Sequence, residues 1–261
     1  MNLSLENKRA LICGSTQGIG FAIAQELALL GASCILLARN EDALKKAITH
    51  LDEGLGQRHE YIVADLAHET DLQSKIDAQL KHGSIHILIN NSGGPPPGPI
   101  IDAEPAAFIA AFNQHIIRSH ELTQALVPGM KQEGYGRIIN IVSTSVRIPI
   151  ANLGVSNTIR GATASWAKTM ANELGKFKIT VNNILPGLTR TRRLESLIAN
   201  TAKSKSEAAE KVERDMQSEI PAGRFAEASE IAAVAAFLAS PSAAYVNGTS
   251  IPVDGGKTGS I

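Results

Sequence analysis

Three glycines near the start of the chain have a spacing suited to binding a phosphate group. Gly14, Gly18 and Gly20 form a G-x-x-x-G-x-G pattern directly after an apolar segment, Ala10 to Cys13. Gly14 lets the chain turn away from a strand, and Gly18 lets a phosphate approach bare backbone. Gly20 lets the following helix pack closely on the sheet. The pattern predicts a dinucleotide-binding turn, although a lone glycine turn also occurs in unrelated α/β proteins.

Polar residues beside these glycines add hydrogen-bond donors. The free N–H groups and the dipole of a helix that begins near Gly18 favour an anion at this point. The residues expected to line the phosphate site are Gly14, Ser15, Thr16, Gln17, Gly18, Ile19 and Gly20.

Alternating strands and helices must position this turn. Apolar runs predict strands over residues 10–13, 33–38, 60–64, 85–90, 136–142, 178–185 and 249–253. Helical patterns fall between them, over residues 18–30, 41–52, 69–81, 105–131, 156–174 and 229–238. Such alternation requires right-handed crossovers and gives a parallel sheet with helices on both faces. No repeat or linker interrupts it, so we predict one α/β domain over residues 1–261.

Composition limits the classes of function. The 261 residues include 25 Lys and Arg against 25 Asp and Glu, so no basic field favours nucleic acid. The fold begins almost at Met1 and the apolar runs are short, so we expect no secretion signal, no membrane partner and a cytoplasmic protein. Cys13 and Cys34 lie in predicted strands and are interpreted as packing thiols. The histidines lack ligand spacing, so no metal site is proposed.

The end of the second predicted strand indicates which dinucleotide is bound. Folds that bind NAD usually place an acidic residue there to hold the ribose 2′-hydroxyl. This chain has Ala38, Arg39 and Asn40 instead. The planar guanidinium of Arg39 suits a 2′-phosphate, which favours NADP over NAD; the alternative is a solvated surface arginine.

Several short motifs follow one another along the chain. They are residues 13–20, Ala64-Asp65-Leu66, Asn90-Asn91-Ser92-Gly93, Gly136-Arg137-Ile138-Ile139-Asn140, Val181-Asn182-Asn183-Ile184-Leu185-Pro186-Gly187 and Val253-Asp254-Gly255-Gly256. In this order they resemble the short-chain dehydrogenase/reductase family, most closely its 3-oxoacyl-carrier-protein reductase-like members. The resemblance implies a single Rossmann-type, doubly wound parallel sheet, a small-molecule substrate and a homo-oligomer, either a tetramer or a dimer, built through the helices over 105–131 and 156–174.

The same resemblance implies cofactor contacts outside the glycine turn. Asp65 and Leu66 would flank the adenine, and Asn90 would line the cleft. The nicotinamide end would contact residues 184–187 and Thr191. The full set beyond the turn is Arg39, Asp65, Leu66, Asn90, Ser92, Gly93, Arg160, Pro186, Gly187 and Thr191.

The residues expected to carry the chemistry depart from the family's pattern. The family's serine corresponds to Ser143, which would place the tyrosine that supplies a proton at 156 and its lysine at 160. This chain has Ser156 and Arg160. A serine hydroxyl is a much weaker acid than a phenol, and an arginine keeps a positive charge but cannot release its proton. None of the chain's three tyrosines has lysine four residues later.

The family's asparagine corresponds to His115, the one replacement able to move protons near neutral pH. A buried structural histidine is the alternative interpretation. The candidate catalytic residues are Ser143, Ser156, Arg160 and His115.

Two further segments are expected near a substrate. The proline-rich residues 93–99 follow the fourth strand, where they form either a stiff pocket wall or an uninvolved surface loop. Residues 190–217 resemble the family's substrate-side flap. Its first arginines, Arg190, Arg192 and Arg193, face either an anion or solvent.

Three hypotheses follow for the function. The first is an NADP-dependent oxidoreductase of the 3-oxoacyl reductase type, acting on a carbonyl or alcohol with an altered proton donor. The second is a non-catalytic dinucleotide-binding protein with a sensing or scaffolding role. The third, another Rossmann-like enzyme such as a methyltransferase, conflicts with the motif Asn90-Asn91-Ser92-Gly93 and with Thr191 following Pro186-Gly187.

Overall fold

The strands of the protein form one parallel sheet. They are β1 (Arg9–Cys13), β2 (Ser33–Ala38), β3 (Glu60–Val63), β4 (Ile87–Asn90), β5 (Gly136–Ile141), β6 (Ile179–Pro186) and β7 (Ser250–Val253). Within residues 1–67 and 71–260, which the computed structural model describes, these seven strands pair in the order β3-β2-β1-β4-β5-β6-β7. Every pairing is parallel, which confirms the doubly wound parallel sheet predicted from the alternation.

Helices cover both faces of this sheet. They are α1 (Gly18–Leu29), α2 (Glu41–Ile48), α3 (Leu72–Leu80), α4 (Pro105–Phe112), α5 (Arg118–Glu133), α6 (Gly154–Leu174), α7 (Arg192–Lys205), α8 (Ala209–Ser218) and α9 (Ala228–Ala239). The second helix ends at Ile48 rather than at residue 52, and the predicted start of the third at Glu69 lies outside the described residues. Across the described ranges, none of the helices combines the length and the apolar character needed to cross a membrane.

The hydrophobic core has two halves, one on each face of the sheet. Ala10 and Ile12 of β1 pack with buried residues of α1 and α9 on one face. Leu11 and Cys13 pack with α3, α5 and α6 on the other. Alternate residues of one strand therefore serve opposite halves, as expected for a strand buried on both faces. Cys13 and Cys34 are buried free thiols, which confirms their interpretation as packing residues.

The strand order places two loops side by side. Strand β1 lies between β2 and β4, so the direction of winding reverses between β1 and β4. The glycine turn follows β1 and the proline-rich loop follows β4, at the carboxyl edge where such sheets bind ligands. Asn91 joins the two loops, because its Nδ2 donates to the carbonyl oxygens of Cys13 and Gly14, both at 3.2 Å.

One predicted helix is interrupted. The sequence predicts a continuous helix over 105–131, whereas a π-helical segment, Asn113–Ile117, separates α4 from α5. The prediction of one continuous α-helix is wrong here. A π turn contains one residue more than an α turn, and the spacing of apolar residues does not reveal that insertion. Such π segments often occur at functional sites, and this one carries His115.

Candidate active site

The glycine turn after β1 is held tightly against the loop after β4. Gly14 and Gly18 have positive φ angles of 60° and 57°, which glycine adopts without steric cost. A Cβ atom at Gly14 would lie 2.8 Å from the backbone oxygen of Asn91. At the start of α1, the side chain of Gln17 makes no capping hydrogen bond. The backbone N–H groups of the first turn therefore remain available to an anion.

The polar residues of the turn differ in their orientation. Ser15 is fully buried, and its hydroxyl donates to the carbonyl oxygen of Leu37 at 3.4 Å. The hydroxyl therefore contacts β2 in this structure, and the part of Ser15 in the phosphate site stays a prediction. Thr16 and Ile19 are half-buried and Gln17 is exposed, so these residues remain at the surface of the turn.

Arg39 stands at the end of β2, where the sequence predicts the 2′-phosphate. Its side chain is 77% exposed, and its Nη1 lies 3.8 Å from Oδ2 of Asp65. This ion pair holds the guanidinium near the loop that follows β3. Leu66, the next residue, packs against the second half of the core. The structure thus brings Arg39, Asp65 and Leu66 together at one end of the carboxyl edge.

A ladder of side-chain hydrogen bonds runs across the sheet from Asn90, at the end of β4, to Ser250, the first residue of β7. Nδ2 of Asn90 donates to Oδ1 of Asn140 at 2.8 Å, and Nδ2 of Asn140 donates to Oδ1 of Asn183 at 2.9 Å. Nδ2 of Asn183 donates to Oγ of Ser250 at 3.0 Å. Each pair is also in register across neighbouring strands. A satisfied buried network of this kind fixes the relative positions of the strand ends.

The candidate catalytic residues Ser143, Ser156 and Arg160 lie around the end of β5 and the start of α6. The Oγ of Ser143 accepts the N–H of Ser145 at 3.1 Å. Ser156 is 6% exposed, and Arg160 follows it by one helical turn. Nη1 of Arg160 donates to the carbonyl oxygen of Ile141 at 3.2 Å, whereas its buried Nε has no partner among the described residues.

His115 lies behind these residues in the π segment. It is buried, and its Nδ1 is 2.9 Å from Oγ of Ser92. Burial first, and then the positive charges of Arg160 and Arg193, lowers the pKa of His115 to about 3. The imidazole is therefore neutral at pH 7. The burial and the low pKa favour the alternative interpretation, a buried structural histidine, over proton exchange near neutral pH.

The segment after β6 returns to the glycine turn. Pro186 ends β6, and Gly187 lies so close to Asp254 that a Cβ atom would be 2.7 Å from the Cα of Asp254. Thr191 caps α7, because its side chain accepts a hydrogen bond from the N–H of Leu194. The Cγ2 atom of Thr191 would lie 3.2 Å from a Cβ atom placed on Gly18. The predicted nicotinamide-side residues therefore lie beside the predicted phosphate turn, although they are far apart in sequence.

The predicted flap consists of two helices, α7 and α8, with a small core of its own around Leu194 and Phe225. Arg190 is paired with Glu213 and Glu227 at 3.4 and 3.3 Å. Arg193 instead reaches Gly94 in the loop after β4. Gly93 is exposed, and no atom lies within 4 Å of the position that a Cβ would take there.

No phenol reaches this site from the three tyrosines, all of which are described. The hydroxyl of Tyr61 donates to Glu41 at 3.0 Å, and that of Tyr135 donates to the carbonyl oxygen of Ala239 at 2.5 Å. Tyr245 is fully exposed beyond α9. Tyr135 directly precedes β5, at the opposite edge of the sheet from the candidate site.

Sequence reasoning missed two features of this site. Asn91 was quoted only as part of a motif, although it joins the two loops. The approach of Arg193 to Arg160 was also missed, because the two are 33 positions apart on different helices. The only signal in the sequence was the polar or charged type of these residues, and a residue type does not indicate which distant residue lies next to it.

Comparison with known proteins gives matches over nearly the whole chain. The family model described as enoyl-(acyl carrier protein) reductase matches residues 14–258. The NADPH-dependent reductase BacG of Bacillus subtilis is 33% identical over 264 residues, covering 98% of this chain and all of the relative. The 7alpha-hydroxysteroid dehydrogenase of Escherichia coli is 32% identical, covering 98% of this chain and 96% of the relative.

Solved structures share the same architecture. L-Sorbose reductase from Gluconobacter frateurii, in complex with NADPH and L-sorbose, superposes with a TM-score of 0.91 at 31% identity, with all of both chains covered. The NADPH-dependent reductase YwfH, involved in bacilysin biosynthesis, gives the same TM-score and identity over 97% of this chain and 99% of that one.

Proposed function

The chain belongs to the short-chain dehydrogenase/reductase family, and on this basis we propose that it is an NADP(H)-dependent oxidoreductase acting on a carbonyl or alcohol substrate. One observation carries the proposal: the switch point between β1 and β4 gathers the phosphate turn, the strand-end amides and the Ser143–Ser156–Arg160 group on one edge of the sheet. Two relatives named as NADPH-dependent reductases, and a third solved in complex with NADPH, support this cofactor.

The residues present fit NADP(H). Gly14 and Gly20 have no room for side chains, so bare backbone faces the phosphate position. The first turn of α1 has free N–H groups, and exposed Arg39 is placed for a 2′-phosphate. We assign the remaining contacts to the residues that the resemblance implies, with Asn90, Ser92, Gly93, Pro186, Gly187 and Thr191 along the cleft.

The proposed reaction resembles that of 3-oxoacyl reductases with an altered proton donor. Bound NADPH supplies a hydride. Ser143 accepts the Ser145 N–H, which orients its own O–H to donate to a substrate oxygen. Ser156 and Arg160 take the positions of the family's tyrosine and lysine. Arg160 keeps the positive charge that the family's lysine provides beside the cofactor, and Ser156 donates a hydrogen bond but is a poor acid. Neutral His115 does not contact the substrate in this proposal; it holds the Ser92 hydroxyl in position.

The proposal includes the chain's organisation. Residues 1–261 form one dinucleotide-binding domain in which residues 190–217 serve as the substrate-side flap. We further propose a homo-oligomer, either a dimer or a tetramer, in the cytoplasm. Apolar side chains on and before α4 support an oligomer, since Ile101, Ile109 and Phe112 are 88%, 63% and 42% exposed.

Replacing Arg39 by alanine is expected to weaken NADPH binding by about 10- to 100-fold and to leave NADH binding unchanged. The reason is that a charge-assisted hydrogen bond to a phosphate contributes roughly 1.5–3 kcal/mol. Calorimetric titration of both cofactors measures the effect. Arg58→Ala, which removes another exposed arginine at the opposite edge of the sheet, is the control. Equal affinity of the unaltered protein for NADPH and NADH would contradict the assignment to Arg39, and a folded protein that binds neither would contradict the proposed function.

Reduction of neutral ketones is expected to be about 10²- to 10⁴-fold slower than is typical of an enzyme with a positioned general acid, because no phenol protonates the developing alkoxide. The measurement is NADPH oxidation with a panel of β-ketoacyl esters, steroid ketones and neutral sugars. Rapid turnover of any one of them would show that another group in the site supplies the proton efficiently.

A further inference from the structure

Two arginines from distant parts of the chain meet at Gly94. A Cβ atom placed on Gly94 would lie 3.0 and 3.1 Å from Nη2 and Nη1 of Arg193, and 3.4 Å from Nη2 of Arg160. Arg160 extends from α6, and Arg193 is the second residue of α7. The two guanidinium groups are therefore close neighbours over the loop that follows β4.

No carboxylate of the described residues forms an ion pair with either arginine. Within residues 1–67 and 71–260, neither Arg160 nor Arg193 forms an ion pair, although Arg190 and Arg118 are paired with glutamates at 3.4 Å or less. Arg160 is only 8% exposed, and its buried Nε donates to no described group. Burial, followed by the charge of Arg193, lowers the pKa of Arg160 to about 10, which still leaves it charged at pH 7.

Two further buried polar atoms lie in segments next to Arg160. The buried Nε2 of His115 and the buried Oγ of Ser145 also have no partner among the described residues. Both belong to segments that pack against α6, the helix that carries Arg160. A buried charge without a counter-ion is costly, and a guanidinium fork matches the two oxygens of a carboxylate. The pair is therefore suited to an anion of that shape.

We propose that Arg160 and Arg193 bind the carboxylate of a short oxo acid, so that the substrate is a free acid rather than its ester or thioester. This inference rests on the proposed function, which assigns the cofactor phosphates to the glycine turn and to Arg39. The anion then lies on the substrate side, one helical turn from Ser156. Because Ser143 and Ser156 hold the carbonyl oxygen, only a few atoms separate the carbonyl from the carboxylate.

Binding to the NADP⁺-loaded protein tests the inference, since no hydride can then be transferred to a ketone. The probes are 2-oxobutyrate and acetoacetate, each compared with its ethyl ester by calorimetric titration. We expect at least one acid to bind about tenfold or more tightly than its ester. Arg193→Gln should weaken acid binding by about 10- to 100-fold and leave both ester binding and NADP⁺ binding unchanged.

Arg192→Gln is the matched control, because Arg192 is an exposed arginine at the adjacent position of α7. Since Arg193 is also exposed, its replacement is not expected to impair folding. Arg160→Lys keeps the buried charge, loses the planar guanidinium fork and should give an intermediate loss of acid affinity.

Equal affinities for acid and ester would overturn the inference, as would an Arg193→Gln variant that loses NADP⁺ affinity by the same factor. Titrations without cofactor separate the two proposals: Arg193-dependent acid binding by a protein that binds no NADP⁺ would support the carboxylate site and contradict the oxidoreductase.

Discussion

Replacing Ser156 by tyrosine and Arg160 by lysine together is expected to raise the rate of NADPH-dependent reduction of ethyl acetoacetate by about 10²- to 10⁴-fold, the usual contribution of a positioned general acid. Positions 156 and 160 lie one turn apart on α6 and are both buried at the candidate site. The ammonium group would stabilise the phenolate and so lower the pKa of the new phenol. In the proposed function Ser143 holds the substrate oxygen in the variant as it does in the unaltered protein. A neutral ester is the appropriate substrate, because the lysine weakens the proposed carboxylate site.

The matched control for this experiment is Ser156→Phe with Arg160→Lys, which has the same ring without the hydroxyl. It should remain as slow as the unaltered protein, with folding followed by thermal melts. Adding His115→Asn to the tyrosine variant should have a smaller effect than the pair, because the His115 ring contacts Ser92 and not the two replaced side chains. A folded, NADPH-binding triple variant without activity would contradict the assignment of positions 156 and 160. It would also favour the non-catalytic binding role.

The order of strands and helices could be predicted from the sequence because each strand is a short apolar run. β2 begins and ends at the predicted residues, since Cys34 to Leu37 are buried and Asn40 then caps α2 with a 2.8 Å hydrogen bond to Ala43. The conformation of the glycine turn was predictable for a similar reason. Its positive φ angles and close contacts require glycine itself, so the residue type carries the conformation.

The environment of His115 was not predictable. An amphipathic pattern predicts a helix over 105–131 but does not indicate the π turn at Asn113–Ile117. Burial by neighbouring elements and two arginine charges then decide the ionisation of His115, and both depend on tertiary packing. The contact of Arg160 and Arg193 with Gly94 was hidden for the same reason, because it depends on how α7 lies over the sheet edge.

The hydrogen-bonded ladder of Asn90, Asn140 and Asn183 was predictable in part. Asn90, Asn140 and Asn183 stood in motifs quoted from the sequence, but their mutual hydrogen bonds follow from strand register. A shift by one residue would turn these side chains to the opposite face of the sheet. The sequence therefore indicated the residue types, and only the paired strands showed that they form one buried network.

Gly20 is the position at which a single added methyl group should have the largest effect on cofactor binding. Its Cβ atom would lie 2.2 Å from the carbonyl oxygen of Gly14, and 2.7 Å from Nδ2 of Asn91. The first contact is with backbone, so no side-chain rotation relieves it. The turn and the first residues of α1 must move apart, which separates the N–H groups that we propose bind the phosphates.

Gly20→Ala is therefore expected to lower the affinity for NADPH by about 100-fold or more, equivalent to roughly 2.7 kcal/mol of binding free energy. It should also reduce the free energy of unfolding by about 1–3 kcal/mol, as overpacking typically does. Calorimetric titration and urea unfolding measure the two effects.

Gly161→Ala is the control, since Gly161 is an exposed helical residue with no described atom within 4 Å of the added methyl. That change should stabilise α6 by about 0.5–1 kcal/mol and leave NADPH binding intact. A Gly20→Ala variant that binds NADPH as tightly as the unaltered protein would show that the phosphates are held elsewhere, and the dinucleotide-binding role of the turn would have to be abandoned.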